Sequence, residues 1–335
     1  MAHRRWLLRL LQLVLLAAVA LGVYRALADQ LSQLTWDEVR QAGTPAPGTL
    51  LVSTVMLVGV YLLHALLWRR ITADVGGGTT SLRAALHAYF VSSLGRYIPG
   101  RLWQLAGLAV LASRAGLTPS RAVAASLFAQ LGFLTTGLVF LGVTLPDLAR
   151  RVNPGSTRGL NPVVIASALA VAAAAAIWLL AATRLGRSLH AWAERHLGAR
   201  MGQRVAATLA IADEVEPLRA LLWSAGYAVS WLLFGAAFVV FVRAFAPVPA
   251  EHLLATAGTV AAAYLAGYLF LLAPAGLGFR EVTMGVLLAQ FLTPGTAAVV
   301  AVLSRVWFTA AELLPLAFIP LLPRSTTAAS ASGVL

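Results

Sequence analysis

The chain carries GRYIPGR at residues 95–101 and PAGLGFRE at residues 274–281, two polar interruptions within otherwise apolar stretches. Pro and Gly disfavour a continuous helix, and Arg carries a permanent charge. The hydrocarbon core of a bilayer holds no water for freed backbone groups or charge, so such breaks persist only where protein or a water-filled cavity shields them. The two interruptions therefore decide the fold and mark where function is expected.

The composition around these breaks is typical of an integral membrane protein. The 335 residues are 60% hydrophobic and 11% charged, with a mean hydropathy of +0.82. A soluble domain is about 45–50% apolar, and a helix needs about 20 residues to cross the hydrocarbon. We therefore predict an all-α integral membrane protein with about eight hydrophobic segments.

The charge and motif content exclude several classes of function. The formal net charge is +13, but the basic residues mostly flank apolar runs, which favours anchoring at a membrane face over a nucleic-acid partner. Cysteine is absent, which excludes disulfides and thiolate chemistry. The chain lacks a Walker loop, a nucleophile elbow and an HExxH motif, so we expect no enzymatic activity, cofactor, catalytic residue or metal site.

The apolar segments differ in length. They cover residues 6–28, 49–71, 82–112, 120–145, 161–183, 219–243, 252–293 and 296–322. The third and seventh exceed one crossing, and each contains one of the breaks, so each is predicted to form a hairpin of two shorter helices. Residues 253–273 alone are long enough to cross, which leaves open whether segment 252–293 is re-entrant or crosses the bilayer.

Arg residues near segment ends predict the orientation. With a cytoplasmic N-terminus, the Arg-rich connection 184–219 stays inside only if segment 82–112 returns to the cytoplasmic side. The break in segment 252–293 then belongs to a hairpin that enters from the opposite side. Two broken segments of opposite orientation are typical of inverted repeats, in which substrate binds near the midplane.

We expect one polytopic membrane domain over residues 1–323. The connection at about 184–218 alternates Arg, acidic and apolar residues, which suggests interfacial helices. The tail at 324–335 is rich in Ser, Thr and Ala and is expected to be disordered.

The first break has the features of an anion site. Pro99 ends the preceding helix, and the helix that follows directs its free N–H groups toward the region of Arg96 and Arg101. Arg can bind a lipid phosphate with two parallel hydrogen bonds. The alternative is that both Arg residues merely extend to the cytoplasmic interface beside a Pro kink.

The second break ends in Arg280 and Glu281, in the first turn of another helix. There Glu281 either serves function or acts as a cap with Arg280 or another cation as counter-ion. The last segment adds Arg305 and Glu312 on one helical face, each able to reach charges of the breaks across the bundle. Charge at this depth indicates a hydrated or charge-balanced cavity.

The predicted substrate-binding residues combine both breaks with the last segment. They are Arg96, Tyr97, Pro99, Gly100, Arg101, Trp103, Gln104, Pro274, Gly276, Gly278, Arg280, Glu281, Arg305 and Glu312. Other polar residues at membrane depth are mostly interpreted as helix-to-helix hydrogen bonds: His64, His87, Ser126, Gln130, Tyr264, Tyr268 and Gln290. Three tryptophans, Trp68, Trp223 and Trp307, are predicted to be interfacial anchors.

With its two breaks, Gly95–Gly100 followed by Trp103, and Pro274–Gly278 with Arg280 and Glu281, the chain resembles the flippase-like membrane family of lysylphosphatidylglycerol synthases, in free-standing form. The resemblance implies two re-entrant elements at the centre of an approximately eight-segment fold in a bacterial inner membrane. The sequence departs from the usual Pro-Gly-Gly pattern of the family at Ala275. The resemblance does not extend to the aminoacyl-transferase domain of the synthases, so it does not imply lysyl transfer.

The expected function is a lipid flippase or scramblase for an anionic or head-group-modified phospholipid or a polyprenyl-phosphate lipid. Two alternatives stay open: a non-transporting partner that presents a lipid to a separate glycosyltransferase or aminoacyl-lipid enzyme, and a transporter of a small soluble anion. Expected partners are the lipid itself and either a second copy of the chain or a lipid-modifying enzyme.

Overall fold

The computed structural model describes residues 35–77, 80–97, 102–114, 118–152, 211, 215–269 and 278–322, and within these ranges it contains helices and turns without a strand. The helices are α1 (Trp36–Ala42), α2 (Pro47–Thr72), α3 (Leu82–Ser93), α4 (Leu102–Arg114), α5 (Pro119–Val152), α6 (Pro217–Arg243), α7 (Leu253–Leu269), α8 (Phe279–Leu288) and α9 (Pro294–Phe318). The predicted all-α membrane architecture is confirmed.

Four of these helices, α2, α5, α6 and α9, are long and apolar enough to cross a membrane. All four begin with Pro, whose missing N–H costs nothing in the first turn of a helix. On α6, Leu221, Leu222 and Leu232 are at least 60% exposed, as expected for side chains that face lipid. The four helices match the predicted segments 49–71, 120–145, 219–243 and 296–322 to within a few residues, except that α5 continues past its Pro146 to Val152.

Contacts between side chains fix the relative directions of α2 and α6. His64 of α2 lies 2.9 Å from Ser230 of α6, and Asp74, just after α2, accepts a hydrogen bond from Trp223 near the start of α6. Residue numbers rise along one helix as they fall along the other. The two helices are therefore antiparallel, and α2 ends at the face of the bundle where α6 begins.

The first predicted hairpin is formed by α3 and α4, joined through a 3₁₀ turn at Leu94–Tyr97. A Cβ added at Gly95 would lie 2.7 Å from the backbone N of Gln104, and one added at Gly107 would lie 3.5 Å from Cβ of Ser92. The two helices thus return on each other. With 12 and 13 residues, each is only about 20 Å long, shorter than the roughly 30 Å hydrocarbon core.

The second predicted hairpin is formed by α7 and α8. The guanidinium carbon of Arg280 on α8 lies 5.4 Å from the ring centre of Tyr264 on α7. His252, just before α7, stacks on Phe291, just after α8, with ring centres 5.3 Å apart. The helices are therefore antiparallel. They have 17 and 10 residues, about 26 and 15 Å, so neither matches a full crossing.

The two hairpins enter the bundle from opposite faces. The first follows the end of α2, and the second follows the end of α6, which runs the other way. Among the described residues, α2, the first hairpin and α5 form one unit, and α6, the second hairpin and α9 form another. The second unit is inverted relative to the first. The order and directions of the described helices agree with the predicted inverted repeat, and the assignment of one face to the cytoplasm stays a prediction.

Several predicted features lie outside the described residues. These are the first and fifth segments at 6–28 and 161–183, nearly all of the connection at about 184–218, and the tail at 324–335.

The prediction of tryptophan anchors was wrong. Trp68, Trp223 and Trp307 are only 1%, 5% and 4% exposed, because neighbouring helices cover them. Trp68 donates to Ser126 at 3.3 Å, and Trp307 stacks on Phe241 with ring centres 4.4 Å apart. Their indoles fill the bundle interior and do not mark its boundary with lipid.

Candidate ligand-binding cavity

A cavity of about 170 Å³ lies between the crossing helices and both hairpins. At about 30 Å³ per molecule, this volume corresponds to roughly six waters. The lining residues are Tyr61, His64, Trp68, Tyr89, Gln104, Leu108, Ser126, Ala129, Gln130, Phe133, Tyr227, Phe234, Tyr264, Gly267, Tyr268, Arg280, Arg305, Phe308, Thr309 and Glu312. Many come from the middle turns of the long helices, which agrees with the midplane location expected for an inverted repeat.

The Arg280 guanidinium forms one charged wall of the cavity. It sits in the first turn of α8, and its central carbon lies 3.7 Å from the ring centre of Phe308. The aromatic face stabilises the cation but accepts no conventional hydrogen bond. Its Nε and Nη2 atoms are buried without a hydrogen-bond partner among the described residues. Buried donors of a charged group are costly when unmet, so an acceptor from outside the described residues would be stabilised at this position.

The neighbouring Glu281 is engaged within the protein. Its Oε1 pairs with Nη1 of Arg305 at 3.0 Å, and both side chains are below 10% exposed. Its Oε2 accepts a hydrogen bond from the backbone N–H of Gly278 at 2.9 Å. Glu281 is thus both the cap of α8 and the counter-ion of Arg305, which confirms that the last segment pairs with the second break across the bundle.

The remaining acidic group of the cavity is Glu312, two helical turns beyond Arg305 on α9. It is 3% exposed and lies on the same wall as Arg305. Together with Arg280 and Glu281, these residues give two cations and two carboxylates among the described side chains at the cavity.

Several polar residues that the sequence assigned to helix contacts have two roles. The pairs His64–Ser230 and Trp68–Ser126 do link helices, at 2.9 and 3.3 Å. His64 and Ser126 also line the cavity, as do Gln104, Gln130, Tyr264 and Tyr268, whereas His87 and Gln290 are exposed. The sequence placed these residues at the same membrane depth as the two breaks. Depth alone does not predict whether a side chain lies on the face of its helix that lines the cavity.

The structure places the predicted site residues as follows. Gln104, Arg280, Arg305 and Glu312 line the cavity, and Glu281 is buried beside it. Trp103 is 56% exposed and does not contribute to the wall, while Gly278 caps α8 at φ +84°. Arg96 and Tyr97 belong to the 3₁₀ turn through their backbone. Their side chains lie outside the described part, as do Pro99, Gly100, Arg101, Pro274 and Gly276.

Chemically, the arrangement suits a ligand with anionic or acceptor oxygens. The described residues hold no cluster of three or more His, Asp or Glu side chains that would bind a metal ion. Arg280 presents donors in a fixed planar array, which matches phosphate or carboxylate geometry.

Comparison with known proteins adds the family. A search of curated proteins found no match to the chain. The family model described as the lysylphosphatidylglycerol synthase TM region matches residues 8–311, which include both hairpins and nearly all of the cavity wall. The chain therefore belongs to the lysylphosphatidylglycerol synthase transmembrane-region family.

Proposed function

We propose that the protein is a lipid flippase or scramblase that moves an anionic or head-group-modified lipid between leaflets. Phospholipids and polyprenyl-phosphate lipids both carry the phosphate that this site would bind. The acyl or prenyl chain would stay in the bilayer, and the lipid would be moved without covalent change.

The observation that carries the proposal is the Arg280 guanidinium at the cavity, whose Nε and Nη2 atoms have no hydrogen-bond partner among the described residues. A cation buried at membrane depth is costly, and such residues normally pair or mark a substrate pathway. Arg305 has its counter-ion in Glu281, at 3.0 Å. The central carbon of Arg280 lies 3.7 and 5.4 Å from the ring centres of Phe308 and Tyr264, and no acceptor among the described residues bonds to its Nε or Nη2. A lipid phosphate would supply the missing acceptors.

The two hairpins support movement of the lipid as well as binding. They enter from opposite faces and both reach the cavity, through Gln104 on one and Arg280 on the other. Rocking of inverted halves around a fixed central site is the general means of alternating access. Family membership adds a relation to lipid-modifying proteins.

The test is leaflet exchange in vesicles that contain the purified full chain. Acyl-labelled phosphatidylglycerol in the inner leaflet should become accessible to an external quencher faster than in protein-free vesicles. Arg280→Ala should lower this rate about tenfold to a hundredfold, because a charge-assisted hydrogen bond to the phosphate is lost. The exchange rate of Arg280→Lys should lie between those of the wild type and Arg280→Ala, since one ammonium replaces the planar donor array.

Arg40→Ala is the matched control. Arg40 is an exposed residue of α1 whose ion pair with Asp37 lies at the surface, so exchange should be unchanged. Exchange no faster than in protein-free vesicles, for anionic and zwitterionic lipids alike, would contradict the proposal. Arg280-dependent lipid binding without exchange would instead identify a protein that presents lipid to a partner enzyme.

A further inference from the structure

A second residue that lines the cavity, Gln130, has a buried donor without a partner among the described residues. The donor is the Nε2 atom of this side chain, in the middle of α5. The sequence alone indicated a helix-to-helix hydrogen bond for this side chain. In the structure Gln130 lines the cavity, and its buried amide nitrogen makes no such bond to the described residues.

Aromatic contacts connect Gln130 to Arg280 across the cavity. Phe133, one turn after Gln130, contacts Tyr264 with ring centres 5.2 Å apart. Tyr264 in turn lies 5.4 Å from the Arg280 guanidinium. Both side chains line the same volume of about 170 Å³, so one head group can contact both.

The buried polar atoms that have no partner among the described residues at the cavity are all hydrogen-bond donors. Within the described part of the chain, the residues that line the cavity have three buried atoms without a partner, Arg280 Nε, Arg280 Nη2 and Gln130 Nε2, and all three are donors. Of the two carboxylates at the cavity, which would attract an amine, Glu281 is bound to Arg305 and Gly278, and Glu312 is also engaged in interactions within the protein. Unmet donors call for acceptor oxygens, because each buried donor left unpaired costs free energy.

We infer that Gln130 is a specificity-determining residue that binds the head group beyond the phosphate and favours hydroxyl- or carbonyl-bearing head groups over amine-terminated ones. This inference rests on the proposed function, in which Arg280 binds the phosphate. The phosphate oxygens accept from the guanidinium, and a further oxygen of the head group accepts from the Gln130 amide. A terminal ammonium has no acceptor to offer that amide.

The experiment measures equilibrium binding of the full chain, in a phosphatidylcholine nanodisc or detergent micelle, to three lipids. These are phosphatidylglycerol, phosphatidylethanolamine and phosphatidic acid, which share the phosphate and differ beyond it. Wild-type protein should prefer phosphatidylglycerol over phosphatidylethanolamine. Gln130→Leu, similar in size but without polar atoms, should reduce that preference about three- to tenfold, the effect of one hydrogen bond.

Gln130→Glu provides a readout that a purely structural role would not change. The substitution keeps the shape of the side chain and replaces a donor by an anionic acceptor. It should weaken phosphatidylglycerol binding more than Gln130→Leu does and shift the preference toward phosphatidylethanolamine. Gln290→Leu is the matched control, because Gln290 is exposed in the turn after α8, does not line the cavity and donates to the backbone carbonyl of Val286.

The possible outcomes separate the two proposals. Phosphate-dependent binding that Arg280→Ala abolishes, with an unchanged head-group ratio in both Gln130 variants, would overturn the inference alone. It would mean that water satisfies the amide. Lipid binding by the wild-type protein that Arg280→Ala leaves unchanged for all three lipids would overturn the proposed function. Thermal unfolding of each variant confirms that the protein remains folded.

Discussion

The two hairpins have the same topology but are held together by different forces. The α3–α4 hairpin is packed through small residues, with Ala85, Ala88 and Ala112 nearly fully buried and the Gly95 backbone against Gln104. The α7–α8 hairpin is fixed to α9 by the buried Glu281–Arg305 pair. Packing close to a backbone requires small side chains, whereas a buried ion pair requires both partners.

The difference indicates which hairpin carries the chemistry. Among the described side chains, the first hairpin gives the cavity neutral groups, including Tyr89 and Gln104, while the second gives it the Arg280 cation. The Glu281–Arg305 pair holds the helix that bears this cation. Substitutions in the first hairpin should therefore act by disturbing its close packing, and substitutions in the second by leaving a buried charge without its partner.

The largest effect is expected at Glu281. Glu281→Ala leaves Arg305 buried without its counter-ion and removes the cap of α8, so we expect destabilisation by about 3–5 kcal/mol. Thermal unfolding in detergent measures the loss. The double variant Glu281→Leu with Arg305→Met should recover much of it, because no charge is then left unpaired. A single variant as stable as wild type would show that the pair does not hold the second hairpin.

Gly95→Ala tests the first hairpin. The added Cβ would lie 2.7 Å from the N of Gln104 and 2.8 Å from the C of Trp103, both backbone atoms that cannot rotate away. We expect the α3–α4 packing to open at a cost of about 1–3 kcal/mol. Hydrogen exchange of the α4 amides should increase along with the fall in melting temperature. Unchanged exchange there would mean that the close approach is not needed for the hairpin.

Gly278→Ala should have a smaller effect, and for another reason. No atom lies within 4 Å of the added Cβ, but the residue has φ +84°, which L side chains rarely adopt. The expected cost is about 1–2 kcal/mol, the typical penalty for a left-handed backbone. Gly285→Ala on the same helix is the control, since its Cβ would meet Ala301 at an ordinary 3.8 Å. Equal melting temperatures for the two variants would contradict this explanation.

The smallest effect is expected at Gly107. Its added Cβ would sit 3.5 Å from Ser92, an ordinary contact. Gly107→Ala should be neutral or stabilise α4 by up to about 1 kcal/mol, because Ala favours helix more than Gly does. A loss comparable with that of Gly95→Ala would show that the whole interface between α3 and α4, and not its tip alone, is too tight for a methyl group.

The fold was largely predictable because its determinants are local. Long apolar runs predicted α2 and α6 to within two residues, and the Pro- and Gly-containing breaks predicted the hairpins. Their opposite entry followed from the positions of Arg residues. Each signal lies within a few residues of the element that it specifies.

The site was predictable only in part. Charged residues such as Arg280 and Glu312 stand out in an apolar helix, and they do line the cavity. The sequence did not identify the Phe308 and Tyr264 rings as partners of Arg280, because aromatic residues do not stand out from the other apolar residues of a membrane helix. The burial of Trp68 was missed because indoles favour interfaces and interiors alike, and only long-range packing decides between them.

Arg280 is carried by α8, a helix of only 10 residues. Isolated helices shorter than about 12–15 residues are marginal in water, so most of the order of α8 comes from its tertiary contacts. A lipid bound at Arg280 would add one more such contact, and it would raise the melting temperature with the logarithm of its free concentration. Protein stripped of lipid by harsh detergent should therefore melt earlier than gently extracted protein, which makes heat stability a simple readout of site occupancy.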